Sequence, residues 1–294
     1  MAAKPVPLVL DTDIGDDIDD AWALSVCINH PAIHLVGVTT VWRDTELRAA
    51  QARLLLEKAG AADVPVAAGT RDALDRLLTF PRNCQADVLS AEDEARLRQG
   101  RCDAVRMLAE LAESTPGLVV APIGPLTNIA RFICEYPQAF AKVSRLVIMG
   151  GHMRPDRSDP EYNVGCDPRA SQIVFSSGKP IQMIGLDVTL RCQMQPEDLE
   201  AIAAKKTPLS EAILTMTRLW QGAGDGQRKR GMPIVHDPLA VLTAVEPDLV
   251  EWETRRVVID DEGHCVADER GHEIQVAVQV NPDAVRHRVV ELIG

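Results

Sequence analysis

The sequence predicts an α/β fold, a mainly parallel open sheet with helices on both faces. Two patterns predict it. Strand-like and helix-like segments alternate along most of the chain, the order of repeated βαβ units. The strand-like runs are short and apolar on both faces, as buried parallel strands are. No repeat, low-complexity tract or linker interrupts them, so residues 1–294 read as one domain.

The first run is Val6-Pro7-Leu8-Val9-Leu10. A helix follows, with Ile18, Ala21, Leu24 and Ile28 on one stripe. Residues 34–41 form a second strand, and a helix through Leu47, Ala50, Leu54 and Leu55 ends at Gly60, a C′ glycine. Val64-Pro65-Val66 is a short third strand. Residues 69–100 show no period and read as a long loop with short helices, the kind that often carries function. Ala104 to Ala112 is helical, Leu118 to Ala121 is a strand, and Pro125 opens the next helix at its first position. A strand at 145–149 ends in Gly150-Gly151; a helix at 170–175 precedes a strand at 181–184. Pro196 to Trp220 is helical, and the basic triplet Arg228-Lys229-Arg230 reads as a solvated loop. His236-Asp237-Pro238 opens a helix, with Asp237 as N-cap and Pro238 at N1. Val257 to Ile259 and Ile274 to Val278 read as a late hairpin turning around Asp261 to Gly263, and Asn281-Pro282 starts a last helix.

The chemistry concentrates where the first strand hands over to the first helix. Asp11, Asp13, Asp16, Asp17, Asp19 and Asp20 crowd ten residues. In an open α/β sheet, ligands bind at such a corner, outside the carboxyl ends of the strands. Helix capping explains one or two of these carboxylates. Six like charges this close repel and raise one another's pKa values, and a bound hard cation removes the conflict. Oxygen donors without nearby Cys or His favour calcium or magnesium over zinc, and the spacing is not that of an EF-hand. Gly15 suits a tight turn against a ligand.

Composition bounds the partners. The net charge of −12 argues against nucleic acid and against an anionic membrane. A small neutral substrate, or one held through a cation, fits better. Seven scattered cysteines, without CxxC pairs, read as reduced thiols in a cytoplasmic protein. The amino terminus runs straight into the first strand without room for a signal peptide, and no apolar run reaches transmembrane length.

Four motifs, in order, carry a family resemblance: Asp11-Thr12-Asp13-Ile14-Gly15 through Asp19-Asp20-Ala21, Ile123-Gly124-Pro125-Leu126-Thr127-Asn128, Glu161-Tyr162-Asn163, and His236-Asp237-Pro238-Leu239-Ala240. Val147 to Gly151 and Gly185 to Thr189 match as well. From about Val6 to the carboxyl terminus the chain resembles the inosine-uridine-type nucleoside hydrolases. The resemblance implies one α/β domain with a Rossmann-like core, a homodimer or homotetramer, that binds one calcium ion. It implies hydrolysis of the N-glycosidic bond of a small-molecule ribonucleoside by a metal-bound water that an Asp activates. It assigns Asp13 as metal ligand and general base, Asp20 and Asp237 as metal ligands, and the Ile123 carbonyl as a further ligand. Asp19, Glu161 and Asn163 are assigned to the ribose, Met149 packs near it, and His236 helps the base leave. Asp16 and Asp17, inserted relative to the shorter family pattern, stand as rival ligands. Asp156 and Ser158 are candidates for a further ribose contact.

The physical argument agrees with this assignment. N-glycosidic hydrolysis passes through an oxocarbenium-like transition state that negative charge near the sugar favours. A histidine that titrates near neutral pH suits protonation of a leaving base. Trp220 is either core or a ring that stacks on the base. Trp42 and Arg43 are candidates for the pocket wall. Asp44 either touches the sugar or caps the next helix. Two rival functions remain. One is a nucleoside- or sugar-binding protein that keeps the metal site without turnover, motivated by the altered loop after Gly69. The other is a haloacid-dehalogenase-type phosphatase with Asp11 as nucleophile and magnesium as cofactor.

Overall fold

The structure, a computed structural model, describes residues 4–154, 156–223 and 231–294. The basic triplet 228–230 lies outside them. In chain order the elements are β1 (Val6–Thr12), α1 (Asp19–Asn29), β2 (Ile33–Thr40), α2 (Thr45–Lys58) and β3 (Val66–Ala68). Next come α3 (Ala91–Leu97), α4 (Ala104–Ser114), β4 (Val119–Pro122), α5 (Thr127–Glu135), α6 (Pro137–Phe140) and β5 (Arg145–Met149). They are followed by α7 (Tyr162–Cys166), α8 (Pro168–Phe175), β6 (Ile181–Ile184), α9 (Leu186–Thr189), α10 (Pro196–Ala204) and α11 (Pro208–Gly222). The last are α12 (His236–Thr243), β7 (Val250–Ile259), β8 (Cys265–Ala267), β9 (His272–Val280) and α13 (Pro282–Leu292).

Among the described residues, nine strands form one sheet in the order β3-β2-β1-β4-β5-β6-β9-β7-β8. Pairing is parallel from β3 across to β9; β7 runs antiparallel to both β9 and β8. The period-2 alternation of each strand divides the core between the two faces. Leu8 and Leu10 of β1 and Val147 and Met149 of β5 pack with α1, α11 and α12 on one face. Val9, Leu146 and Ile148 pack with α4, α5 and α8 on the other. The strand order reverses between β2-β1 and β4-β5, which opens a crevice beyond the carboxyl ends of β1 and β4.

Several local readings are corrected. The late strands are not a simple hairpin: the turn after β7 leads into β8, while β9 lies between β7 and β6 and continues the parallel run. The helical stretch 196–220 is two helices, broken where Lys206 takes φ +53° and Thr207 caps α11 through the Ser210 N–H at 3.0 Å. α5 begins at Thr127, so Pro125 precedes the helix rather than opening it. α12 begins at His236, which places Asp237 inside its first turn and leaves Val235 at the cap. α1 is buried all round from Asp19 to Cys27 rather than along one stripe, because α2, α11, α12 and α13 surround it. The last helix starts as expected, with Asn281 accepting from the Ala284 N–H at 3.2 Å. No helix among the described residues is long and apolar enough to cross a membrane.

Candidate active site

A cavity of about 640 Å³ opens at the carboxyl ends of the central strands. Asp13, just past β1, lines it with Asp16, Asp17, Asp19 and Asp20 from the turn into α1. Ile123 follows β4 and Met149 ends β5. Glu161 and Asn163 come from the start of α7, Trp220 from α11, and His236 and Asp237 from the first turn of α12. Segments separated by more than two hundred residues therefore converge on one space.

Asp19, Asp20 and Asp237 form its tightest group. Each offers a carboxylate oxygen within 4.8 Å of those of the others, and all three are buried. Burial pushes all three carboxyls well above the ordinary range, and the neighbouring charges add to it. These groups are not neutralised by their partners. Asp20 accepts from the Thr12 hydroxyl at 2.5 Å, and Asp19 accepts from the Asp237 N–H at 3.1 Å. A set of buried oxygen donors with no ion pair among the described residues fits a hard cation. Asp19, which the resemblance assigns to a sugar hydroxyl, thus stands among the potential ligands.

Asp13 lies beside this group. Its carboxyl is pushed up to about 6 by burial, with Arg48 opposing the shift and Asp16 adding to it. Arg48 of α2 is a fully buried guanidinium that holds the loop around it. It donates to the carbonyls of Asp13, Ile14 (2.8 Å) and Trp42 (2.7 Å) and to the Asp16 carboxylate at 2.7 Å. Arg43 also reaches Asp16, at 3.0 Å. Of the two rival ligands, then, Asp16 is bound by two guanidinium groups and Asp17 is exposed on the rim. Gly124 closes tightly over Asp13: a Cβ there would lie 2.7 Å from Oδ1 of Asp13.

The remaining wall is preorganised by the backbone. Glu161 accepts from the N–H groups of Gly151 (2.8 Å), Asn163 (2.9 Å) and Val164 (3.1 Å), so it caps α7 from inside the cavity. The Asn163 amide donates to the carbonyls of Ile123 at 2.9 Å and Met149 at 3.2 Å, which ties β4, β5 and α7 together. His236 packs Nδ1 against the Thr189 hydroxyl at 2.7 Å, and burial pushes its pKa down to about 4. The ring is therefore neutral near pH 7, which corrects the expectation of a histidine that titrates there.

Asp44 does not line the cavity; it caps α2 through the Leu47 N–H at 3.1 Å and pairs with Arg98 at 2.9 Å. Trp42 packs against Val41 and Ala73 away from the cavity, while its neighbour Arg43 does line it. Asp156 and Ser158 are exposed and outside the wall. Asp11 is wholly buried: its Oδ1 accepts from Thr39 (2.6 Å) and Asn128 (2.7 Å), which clasps β1 to β2 and α5. A nucleophile must be reachable, so the phosphatase reading fails on Asp11. Sequence reasoning missed Arg48, which clamps the loop behind the wall, and Arg157, Pro160, Tyr162 and Leu186 in the wall itself. Arg48 carried a weak signal as a cation among the small and apolar residues of α2; Tyr162 and Leu186 stood inside matching motifs without a role, and Arg157 and Pro160 carried no signal.

The sequence from residue 8 to 287 matches the family described as inosine-uridine preferring nucleoside hydrolase. It is 32% identical over 270 residues to a pyrimidine-specific ribonucleoside hydrolase RihA of Enterobacter sp. (strain 638), covering 88% of this chain and 85% of that one. It is 32% identical over 278 residues to uridine nucleosidase 1 of Arabidopsis thaliana, covering 90% and 81%. The fold matches a purine-preferring ribonucleoside hydrolase from Gardnerella vaginalis with a TM-score of 0.81, at 25% identity over 97% of this chain and 98% of the other.

Proposed function

We propose, for a chain that belongs to the inosine-uridine preferring nucleoside hydrolase family and is thus an N-glycosidic hydrolase of ribonucleosides, a calcium-dependent reaction in which Asp13 is the general base. The observation that carries this reading is the convergence of Asp19, Asp20 and Asp237 beside Asp13 in one cavity of nucleoside size. Asp13, Asp20, Asp237 and the Ile123 carbonyl would hold the cation, with Asp19 bordering it. When bound, calcium supplies Lewis acidity toward a water and spare coordination positions for vicinal hydroxyls.

The chain's own groups do the rest. Asp13, buried and held by the Arg48 clamp, takes the proton of the attacking water; general-base help of this kind is worth roughly 10²–10⁴-fold. The carboxylates around the sugar favour the positive charge that develops on the ring. Glu161 and Asn163, fixed by backbone hydrogen bonds, orient the ribose, and Met149 packs against it. Trp220 offers a flat apolar face to the base. His236 acts as a neutral donor: with the Thr189 hydroxyl donating to Nδ1, the ring proton sits on Nε2 and assists departure of the base.

Three further points rest on weaker support. The continuous sheet supports one domain over residues 1–294. Seven scattered cysteines without CxxC pairs support a cytoplasmic location. A homodimer or homotetramer is proposed from the family resemblance alone. The test of the central reading is titration of chelator-treated protein with calcium and with magnesium. Binding is read by calorimetry, and release of ribose from uridine and inosine is followed in parallel. Restoration of both by calcium supports the reading. Calcium binding without any cleavage would instead favour a binding protein that lacks turnover.

A further inference from the structure

The turn that carries the acids, residues 13–17, has neither helix nor strand to hold it. Three of its side chains, Asp13, Asp16 and Asp17, line the cavity. Their charges press on one another and on the acids of α1: Asp16 acts on Asp13, and Asp17 on Asp19. Like charges held this close favour an opened turn. Yet all five carbonyls of the turn are engaged. Arg48 takes those of Asp13 and Ile14. The other three are met by two residues of the long loop after Gly69. The Gln85 N–H donates to the Gly15 carbonyl at 3.2 Å. The Cys84 thiol reaches the carbonyls of Gly15 at 3.5 Å and Asp16 at 3.3 Å. The Gln85 side-chain amide donates to the Asp17 carbonyl at 2.6 Å.

These donors stand on a fixed base. Gln51 of α2, itself wholly buried, exchanges two side-chain amide bonds with Asn83, at 2.9 and 3.1 Å. This amide pair lies against Gly15, whose φ is +124°. A Cβ there would strike the Asn83 amide and lie 2.6 Å from Oε1 of Gln51. Ala86 and Leu89, just beyond, pack into Leu47, Ala50 and Leu54 of α2. α2 thus holds the acidic turn twice, directly through Arg48 and indirectly through residues 83–85. Gln85 is wholly buried, and its Oε1 finds no partner among the described residues. Burying an amide in that way costs free energy, and an apolar side chain would serve the packing better. The amide is explained by the carbonyl it holds.

Resting on the calcium reading above, we propose that Asn83, Cys84 and Gln85 are positioning residues of the cation site. By fixing the carbonyls of residues 15–17, they keep the turn in its cation-binding shape, against the repulsion of its own carboxylates, before a cation arrives. A ligand set ordered in advance loses less freedom on binding, and the difference is read as affinity. None of the three lines the cavity, so their effect passes through the turn. The inserted residues Asp16 and Asp17 and the altered loop after Gly69 meet here: the loop supplies the donors that the longer turn requires.

The test uses chelator-treated wild type, Gln85→Met, Cys84→Ala and Cys84→Ser. Calcium Kd is read by calorimetry, hydrogen exchange of residues 11–20 by mass spectrometry without cation, and stability by urea unfolding. Gln85→Met keeps the volume and removes the donor. It should raise the Kd about tenfold and speed exchange of the turn about tenfold, the scale of one lost hydrogen bond. Cys84→Ala should raise the Kd about threefold, and Cys84→Ser, whose hydroxyl donates in place of the thiol, should restore it. A residue that only held the fold would lower the urea midpoint and leave the Kd of the folded protein unmoved; that result for Gln85→Met overturns the proposal. A raised Kd with exchange unmoved overturns it as well, since the turn would then be ordered without the amide. If Gln85→Met does not fold, the Cys84 pair decides: Cys84→Ala equal to Cys84→Ser in both Kd and exchange overturns it. If wild-type protein binds no calcium, the calcium reading falls by itself. Faster exchange of the turn in Gln85→Met then keeps the positioning role, and unchanged exchange overturns that too. Neither readout requires turnover, so absence of cleavage leaves the test intact.

Discussion

Asp11 is wholly buried, with one carboxylate oxygen bonded to Thr39 and Asn128 and the other without a hydrogen-bond partner among the described residues. Burial pushes its pKa from 3.8 to about 7, against those two bonds. Its role is therefore structural, and Asp11→Asn separates that role from a catalytic one. Well below pH 3.8 the carboxyl is neutral in both the folded and the unfolded chain, and Asn imitates it. As pH rises, the unfolded chain ionises first while the folded chain resists. A raised folded pKa thus gives stability that is present at low pH and lost as pH climbs through 7. The shift from 3.8 to about 7 is roughly three units, and at about 1.36 kcal/mol per unit the loss is on the order of 4 kcal/mol. Asn has no such loss, so the stability of the variant relative to the wild type should rise by up to that amount between pH 4 and pH 8. Urea unfolding of both proteins at one-unit steps, with chelator present so that no cation perturbs the neighbouring carboxylates, measures it. A stability difference that stays flat across this range, or that moves against the variant, would refute the assignment. The variant should also still release ribose from uridine at neutral pH, which a nucleophilic Asp11 forbids.

Three further outcomes follow from the same geometry. Gly124→Ala would drive a Cβ to within 2.7 Å of Asp13 Oδ1; displacement of the base should lower kcat by about 10²-fold, with the melting temperature of the chelated protein changed far less. Arg48→Met leaves the carbonyls of Asp13, Ile14 and Trp42 without their donor and strips Asp16 of its shorter ion pair. The expected destabilisation is about 3–5 kcal/mol by urea unfolding, and a loss below about 1 kcal/mol would contradict the clamp. Asp237→Asn removes one of the three convergent carboxylates; calcium affinity should fall at least tenfold by calorimetry while the fold, read by circular dichroism, persists.

The alternation of apolar strands and helices made the parallel sheet readable, because buried parallel strands leave a signal in any short window. The corner from Asp11 to Asp20 was readable as a ligand site for a similar reason, since six acids in ten residues have no comfortable solution without a counter-charge. What separates Asp11 from Asp13 was not readable. Neighbours two residues apart differ completely, one clasped by Thr39 and Asn128 and the other facing the cavity, and only tertiary packing decides between them. Asp44 was ambiguous because an N-cap and a sugar contact ask for the same side chain after a strand. The hairpin was misread because the residues of β7 from Glu251 to Arg256 are largely polar and half-exposed, so its early part carries no strand signal and its partner β8 is only three residues long. His236 lines the cavity, but its depressed pKa depends on how deeply α12 seats it beside Thr189, which no local pattern records. Arg157 reaches the cavity from a segment without period or motif.

The most direct test of the account is single-turnover release of base from uridine by wild-type protein and by Asp13→Ala, with bound calcium and bound uridine quantified for each before mixing. The account predicts that both proteins bind calcium and uridine and that loss of Asp13 slows release by about 10²-fold or more, the share expected of a general base. Equal rates in the two proteins, or no release from wild-type protein with both calcium and uridine bound, would contradict it.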